Sequence, residues 1–204
     1  MNTVSTDKRK YELKARAVGR RQTQERIVGA TVALHKELGP ARTTITGIAR
    51  RAGVQRLTVY KAFPDIRDLF AACQSRFLAE TPPPDLGPQP GVDPCVGLEQ
   101  TLSKLYAWYR MTEAMERNVH RDRHLVPELD ELMAATGDVR FAAIAEAHAI
   151  AIAGGKPSAP LRALVRLALD FRTWELLSDQ LSDADIAQLM SSAARSAGPE
   201  SAWQ

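Results

Sequence analysis

The chain has 204 residues, of which 45% are hydrophobic and 25% are charged, and its formal net charge is +3. This composition is typical of a folded globular protein and excludes a wholly disordered chain. The two cysteines, Cys73 and Cys95, do not have a C-x-x-C spacing, so they predict neither a disulfide framework nor a zinc knuckle. The polar start of the chain does not look like a secretory signal, and the apolar stretch at residues 141–155 is too short to span a bilayer. We therefore expect a soluble, cytoplasmic protein without a membrane partner.

The charge is distributed unevenly along the chain. Residues 1–80 contain 16 Lys and Arg against 7 Asp and Glu, whereas residues 81–204 contain 11 against 17. A basic N-terminal part joined to an acidic remainder suggests that one end of the protein meets a polyanion. A solvated basic surface without a partner would explain the same charge, so the local sequence has to decide.

The N-terminal part predicts a basic arm followed by a helix. Residues 1–21 are rich in Lys and Arg and have little apolar periodicity, so we expect a mobile arm, with helix only near its end. Residues 27–38 place Ile, Thr and Leu side chains on one helical face. Gly39-Pro40 ends this helix, because Gly suits the left-handed position after a helix and Pro cannot continue one.

Two short helices joined by a glycine come next. Thr44 can cap the first of them, Gly53 ends it, and residues 55–62 form the second. Ala49 is small where the two helices would cross, and Val59 is placed to anchor the second helix inward. This is the geometry of a helix-turn-helix, whose second helix lies in the major groove of DNA.

If Val59 faces inward, the second helix of the pair presents a set of polar and large side chains outward. The predicted DNA-binding residues are Thr44, Gln55, Arg56, Leu57, Thr58, Tyr60 and Lys61. Arg56 can form two hydrogen bonds with a guanine edge, and Gln55 can do the same with adenine. Leu57 suits a thymine methyl group, and the later residues of the helix are nearer to phosphates. The alternative role is local packing for Leu57 and packing against the following helix for Tyr60.

The remainder of the chain predicts a linker and further helices. Residues 81–94 hold six Pro and two Gly, so we expect no regular structure there. We predict a break at residues 119–127 and a last helix that follows a capping box beginning at Ser182. Between them we predict helices at residues 128–135, 139–153 and 160–177. The predicted fold class is all-α.

Large side chains gather in the predicted helices of residues 95–204, where a helical bundle can leave an apolar cavity. The candidate ligand-binding residues are Tyr106, Tyr109, Met115, Phe141, His148 and Phe171. Packing in the core is the alternative role for each of them. His120 and His124 have the spacing of two metal ligands on one helix face, but the charges around them indicate a solvated break. We expect no metal, no cofactor and no local set of catalytic residues.

Residues 43–69, TTITGIARRAGVQRLTVYKAFPDIRDL, resemble the tetracycline-repressor-like (TetR/AcrR) family of transcriptional regulators. The matching features are Thr-Thr, Ile-Ala, Ala-Gly-Val, a Tyr late in the recognition helix, and Phe-Pro before the next helix. The helices after residue 94, including Trp174 and the residues 181–185, match the family in architecture only. The resemblance implies a DNA-binding domain at residues 22–80 and a ligand-binding and dimerisation domain at residues 95–204.

The resemblance also implies a function. It implies a homodimer built largely from the last two helices, with two N-terminal units that read a palindromic operator in double-stranded DNA. A small-molecule effector bound in the larger domain would move these units apart, so we expect a ligand-responsive regulator, a repressor rather than an enzyme. The chain departs from the family pattern at Gln55, Leu57, Ala62 and Ile66. The alternative is a constitutive DNA-binding protein whose C-terminal half only dimerises.

Overall fold

The computed structural model describes the backbone of residues 4–198 and the side chains of residues 17–198. The fold is all-α, as predicted. The helices of the described residues are α1 (Val4–Glu37), α2 (Ile45–Ala52), α3 (Arg56–Ala62), α4 (Ile66–Glu80), α5 (Pro94–Asp122), α6 (Pro127–Met133), α7 (Val139–Ala153), α8 (Ala159–Ala168), α9 (Phe171–Leu177) and α10 (Asp183–Ser196). Short 3-10 turns lie at Pro40–Arg42 and Arg123–Leu125, and a π-helical turn joins α6 to α7 at Ala134–Asp138. Within residues 4–198, no helix has both the length and the apolar character that crossing a membrane requires.

The chain divides into two compact units. The first unit contains the residues up to Glu80 together with Asn118–Asp130. The second unit contains Thr81–Arg117 and the residues from Glu131 onward. Helix α5 therefore contributes most of its length to the second unit and its last residues to the first.

The first unit has a small aliphatic core around α1, which packs against α2, α3 and α4. The side chains of Ile27, Ile48, Val59 and Leu69 are almost completely removed from solvent. Full burial of one such side chain contributes about 1.5–3 kcal/mol. These contacts hold α2, α3 and α4 in a fixed arrangement against α1.

The start of α1 differs from the prediction. The segment that we expected to be a mobile arm is helical from Val4, and it continues into the packed part of α1 without a break. Ala, Arg, Lys, Glu and Gln are strong helix formers, so this segment favours a helix although it lacks an apolar face. At the other end, α1 stops at Glu37, and Leu38 lies beyond the helix and is exposed.

The second unit also differs from the prediction at two helix boundaries. Residues 160–177, predicted as one helix, form α8 and α9, because the Asp170 side chain accepts a hydrogen bond from the backbone N–H of Arg172 (2.8 Å) and caps a new helix. Helix α5 continues to Asp122, so the break predicted at residues 119–127 is shorter than expected. The capping box at the start of α10 is confirmed, since Ser182 and Asp185 bond reciprocally.

The Pro-rich segment 81–93 has no helix but packs as part of the second unit. Leu86 is 2% exposed, and the indole Nε1 of Trp108 donates to the carbonyl of Thr81 (3.1 Å). Near its end, Asp93 accepts a hydrogen bond from Arg195 (2.9 Å). The proline content excludes helix, as expected, yet the segment is anchored rather than a free linker.

Candidate nucleic-acid interface

The turn between α2 and α3 is fixed by two local signals. The Thr44 hydroxyl accepts a hydrogen bond from the backbone N–H of Gly47 (3.0 Å) and caps the start of α2. Gly53 has φ 65° and ψ 40°, the left-handed conformation that glycine adopts at low cost, and it ends α2. The N–H of Val54 then bonds the carbonyl of Ala49 (3.0 Å). Helix α3 begins two residues later, so both predicted signals are observed.

Helix α3 is anchored by one face and open on the other. Val59 is 1% exposed and holds the helix in the core, as its spacing predicts. Gln55 is the residue before the first turn, in an extended conformation. On the open face, Leu57 is 58% exposed and Tyr60 is 48% exposed. Leu57 and Tyr60 are therefore not buried by packing, which was the alternative role for each of them.

The predicted DNA-binding residues lie together on this open side of the first unit. All of them are exposed except Thr58, which is half-buried, and they are Thr44, Gln55, Arg56, Leu57, Thr58, Tyr60 and Lys61. Within the described residues, the side chains of Arg56 and Lys61 form no ion pair. The surface therefore offers cations, hydroxyls, an amide and an apolar group. Their role in binding DNA stays a prediction.

Contacts from α1 fix the position of the two short helices. The Gln24 side chain donates from Nε2 to the carbonyl of Ala62 (3.3 Å), at the end of α3. Arg51, in the last turn of α2, forms two hydrogen bonds with the carboxylate of Glu37 (2.5 and 2.6 Å). The sequence does not predict either contact, because the partners are 38 and 14 positions apart and belong to no short-range motif.

The end of α1 is capped by residues that lie about eighty positions later in the chain. Asn118 donates from Nδ2 to the carbonyls of His35 and Lys36 (both 2.9 Å). Arg121 donates to the carbonyl of Leu38 (3.1 Å). The last carbonyls of a helix have no partner within the helix, so these side chains supply what α1 lacks. The cap belongs entirely to the first unit.

A buried carboxylate completes this cap. The Asp122 side chain accepts hydrogen bonds from Arg121 Nε (2.7 Å) and from the N–H of Ala41 (3.1 Å). The Arg121 guanidinium, helped by the Ala41 N–H, lowers the pKa of Asp122 although burial opposes this. A Cβ on Gly39, which has φ 94°, would lie 2.2 Å from both side-chain groups. Only glycine fits here, both sterically and conformationally.

His35 lies next to this cap and is buried. Its ring stacks on Phe70 with centroids 5.6 Å apart. Burial lowers the pKa of His35 to about 4, although the nearby Asp122 carboxylate opposes the shift. The imidazole is therefore neutral in the folded first unit near neutral pH.

The comparisons with known proteins agree with this geometry. Residues 27–73 match the family model described as bacterial regulatory proteins, tetR family. This segment of the chain is therefore similar to the DNA-binding part of the tetR family. The matched residues run from the core of α1 through α2 and α3 into α4.

The curated relatives extend the match only a little. An uncharacterized HTH-type transcriptional regulator of Mycobacterium tuberculosis (strain H37Rv) is 39% identical over 61 residues, which are 30% of this chain and 32% of the relative. One from Mycobacterium bovis is 40% identical over 60 residues, 29% of this chain and 32% of the relative. The match therefore spans about a third of the length of these relatives.

A solved structure extends the likeness to the whole fold. A TetR-like transcriptional regulator from Rhodococcus sp. RHA1 superposes with a TM-score of 0.54 and 19% identity, over 84% of this chain and 93% of that one. At this identity the likeness shows the fold alone. Residues 27–73 are thus similar to the tetR family by sequence, and the chain as a whole is similar to the solved structure in fold.

Three of the six candidate ligand-binding residues meet in the core of the second unit. Tyr109 and Phe171 make an edge-to-face ring contact with centroids 5.2 Å apart, and Tyr106 stacks on Tyr109 at 6.4 Å. Both tyrosine hydroxyls donate to backbone carbonyls, Tyr106 to Ala168 (2.8 Å) and Tyr109 to Leu169 (2.7 Å). Burial raises the pKa of both tyrosines. These side chains stabilise the α8–α9 junction, and a ligand role for them stays a prediction.

The other three candidates have different surroundings. His148 is 1% exposed, and its Nε2 donates to the carbonyl of Leu86 (2.8 Å) in the Pro-rich segment. Burial lowers the pKa of His148, against the effect of this hydrogen bond. Met115 is buried on α5, and Phe141 is half-buried on α7. The sequence placed His148 among small residues correctly but could not identify its distant partner.

The two cysteines are buried and unpaired with each other. Burial raises the pKa of Cys73 to about 12 and that of Cys95 to about 11. The thiolate is the reactive form of cysteine, so neither side chain is poised as a nucleophile or a metal ligand.

Proposed function

We propose that this chain is a transcriptional regulator that binds double-stranded DNA through α3. The observation that carries the proposal is the split character of α3, in which Val59 is buried while the neighbouring large and cationic side chains are exposed. A helix that only stabilised the fold would gain nothing from an exposed leucine and tyrosine beside unpaired cations. The match of residues 27–73 to the tetR-family model supports the same function.

In this proposal, affinity and sequence preference come from different residues. Lys61, Tyr60 and the start of α2 at Thr44 bind phosphates, which supplies much of the affinity and makes it depend on salt. Arg56 and Gln55 read base edges in the major groove. The turn at Gly53 and the contacts from α1 keep α3 rigid, so little conformational entropy is lost on binding.

We also propose that the protein is a homodimer that reads a palindromic operator. Helices α8 and α10 pack against each other, and each leaves a leucine about half exposed, Leu167 on α8 and Leu189 on α10. A second copy would cover both leucines. Two symmetry-related units are needed to place two copies of α3 in successive major grooves.

Light scattering of the purified protein tests this assembly. Replacing Leu167 and Leu189 by Glu should convert the dimer to a monomer. Leu125→Glu is the matched control, because Leu125 is 70% exposed and belongs to the first unit, away from the last helices. A wild-type protein that is monomeric at all concentrations would contradict the dimer.

We propose that the protein acts as a repressor in the cytoplasm and that a small-molecule effector releases it from DNA. Helix α5 supports this, because its residues up to Arg117 belong to the second unit while Asn118 and Arg121 cap α1 in the first. A ligand that binds the second unit and favours one position of α5 would shift the conformational equilibrium of the first unit. Thermal-shift screening with a panel of small molecules tests the effector, since an authentic ligand raises the melting temperature.

One observation favours the alternative of a constitutive regulator without an effector. The candidate ligand-binding residues Tyr106, Tyr109 and Phe171 pack against each other, and both hydroxyls are already used by backbone carbonyls. If no compound of the panel changes either the melting temperature or the affinity for DNA, the constitutive function is the better description.

The experiment that tests the central proposal is selection of bound fragments from genomic DNA with purified protein. We expect enrichment of fragments that share an inverted repeat. Arg56→Ala should lose this enrichment, whereas Arg172→Ala, an exposed arginine on α9 in the second unit, should keep it. Enrichment that is equal for all sequences, or absent, would contradict sequence-specific DNA binding.

A further inference from the structure

Two grooves run along α1 in the first unit, and they differ in charge. One lies between α1 and α3 and has a volume of about 800 Å³. Arg20, Thr23 and Gln24 form its α1 wall, and Thr58 and Lys61 form its α3 wall. We refer to it as the α1–α3 groove. The other, of about 850 Å³, is lined by α1, the end of α2, and Arg76 of α4.

Two of the three arginines that line the second groove, Arg51 and Arg76, are paired with carboxylates, whereas Arg26 forms no ion pair within the described residues. Arg51 is paired with Glu37, Arg76 bonds Glu80 (2.7 Å), and Glu25 itself lines the groove. An anion would have to compete with these partners. Arg26 is therefore the one lining cation of this groove that has no carboxylate partner within the described residues, and Glu25 lies beside it.

The α1–α3 groove differs in that neither of its lining cations, Arg20 and Lys61, forms an ion pair within the described residues, and no carboxylate lies in its wall. The Thr23 hydroxyl is used by the carbonyl of Gly19 (2.9 Å) and the Gln24 amide by Ala62 (3.3 Å). Free donors therefore remain at Arg20, Lys61 and Thr58, on both walls of one groove.

We propose that the α1–α3 groove holds the phosphate backbone of one DNA strand when α3 lies in the major groove. Arg20 and Lys61 bind phosphates from opposite walls, and the Thr58 hydroxyl donates to a phosphate oxygen between them. The occupant is a DNA strand because Lys61 and Thr58 lie on the same short helix as the base-reading candidates. Helix α1 then contacts DNA in addition to positioning α3. This inference rests on the proposed function.

A pair of neighbouring arginines on α1 gives a matched test. Arg20 lines the groove, whereas Arg21 is outside it and donates to Glu25 (3.1 Å) with its side chain 83% exposed. Arg20→Gln and Arg21→Gln remove the same charge from adjacent positions of one helix, and Gln is as good a helix former as Arg. Both variants should melt like the wild-type protein, because both side chains are exposed.

The measurement is the affinity for a fluorescent duplex of mixed sequence and for a selected genomic fragment, each over a range of salt concentrations. Each phosphate contact contributes roughly 0.9 to the slope of log K against log salt concentration. We expect Arg20→Gln to lower that slope by about this amount on both duplexes, and Arg21→Gln to leave it unchanged. Thr58→Val should weaken binding without changing the slope, since it removes a neutral donor.

The outcomes separate this inference from the function on which it rests. If both arginine variants change the slope equally, the cations act only through the overall field, and the groove holds no phosphate. If Arg20→Gln leaves the slope intact, the inference is also wrong. Either result leaves DNA binding itself standing, whereas failure of the wild-type protein to bind any duplex would overturn the proposed function as well.

Discussion

The exposed face of α3 and the aromatic cluster of the second unit differ in how their chemistry is used. Both carry large side chains that the sequence marks as candidates for binding. On α3, Leu57 and Tyr60 are about half exposed, and Arg56 has no ion-pair partner within the described residues. In the second unit, Tyr109 and Phe171 are almost completely buried, and the tyrosine hydroxyl already has an acceptor.

This difference teaches where a functional role can be inferred from structure. A buried aromatic residue with a satisfied hydroxyl is explained by the stability of the fold. An exposed leucine beside cations that form no ion pair within the described residues is not explained by stability, and its place after a tight turn favours a partner outside the chain. The DNA interface therefore has a stronger physical basis than the ligand pocket.

The largest expected effect comes from breaking the aromatic cluster. Phe171→Ala should lower the free energy of unfolding of the second unit by about 3–5 kcal/mol, because it leaves a cavity beside Tyr109. Leu57→Ala on α3 should change stability by less than about 0.5 kcal/mol, since it removes an exposed side chain. Urea unfolding followed by tryptophan fluorescence measures the first, because Trp108 and Trp174 lie in the second unit. Comparable losses of unfolding free energy for the two variants would contradict the proposed difference between the buried cluster and the exposed face of α3.

The two units should also respond to pH in opposite ways, beginning with His35 in the first unit. Its pKa in the fold is about 4, below its ordinary value of 6.5, so the unfolded chain binds the proton more readily. The stability from neutral His35 is complete above pH 6.5 and falls by about 3 kcal/mol as the pH drops to 4. Hydrogen exchange of the α1 amides measures this loss. His35→Leu should remove the dependence in that window, where Asp122, with its lowered pKa, is still ionised.

Glu116 gives the second unit the opposite dependence. Burial raises the pKa of Glu116 to about 7 from 4.5, so the folded unit holds a proton that the unfolded chain releases. Stability is complete below pH 4.5 and falls by about 3 kcal/mol as the pH rises to 7. Glu116→Gln should therefore stabilise the second unit at pH 8 and have little effect at pH 4. If the stability of both units changes with pH in the same direction, His35 and Glu116 do not govern the pH dependence of their units.

A smaller effect is expected for Arg56, and it concerns discrimination rather than stability. If Arg56 binds a guanine edge, Arg56→Ala should lose about 1–3 kcal/mol of preference for the selected fragment over fragments with one base pair changed. Arg50→Ala is the control, because Arg50 is exposed on α2 outside the recognition helix. Equal weakening of Arg56→Ala on selected and mixed-sequence DNA would assign Arg56 to a phosphate instead.

The part of the structure that sequence predicted best is the part governed by short-range chemistry. The cap at Thr44, the left-handed Gly53 and the capping box at Ser182 each depend on residues at most four positions apart. They were therefore readable without knowing the fold. The family motif lies in the same segment, because α2, the turn and α3 are defined by these signals.

What sequence missed depends on contacts between distant residues. Asn118 caps α1 across 83 positions of sequence, and His148 bonds Leu86 across 62. No periodicity or spacing encodes such pairs, because they exist only after the helices pack. The break between α8 and α9 was missed for a different reason. Asp170 caps a helix inside an apolar run whose periodicity predicted continuity.

The smallest expected effect is the contact of Leu57 with a thymine methyl group. Leu57 is 58% exposed at the second residue of α3, and an isobutyl side chain has nothing else to offer a base edge. Replacing the contacted thymine by deoxyuracil removes one methyl group, and it should cost the wild-type protein about 0.8 kcal/mol of binding. Leu57→Ala should bind both duplexes equally, because the apolar partner is gone. Leu38→Ala, an exposed leucine outside α3, should keep the wild-type preference, and a wild-type protein indifferent to every thymine methyl would leave Leu57 without a role in base recognition.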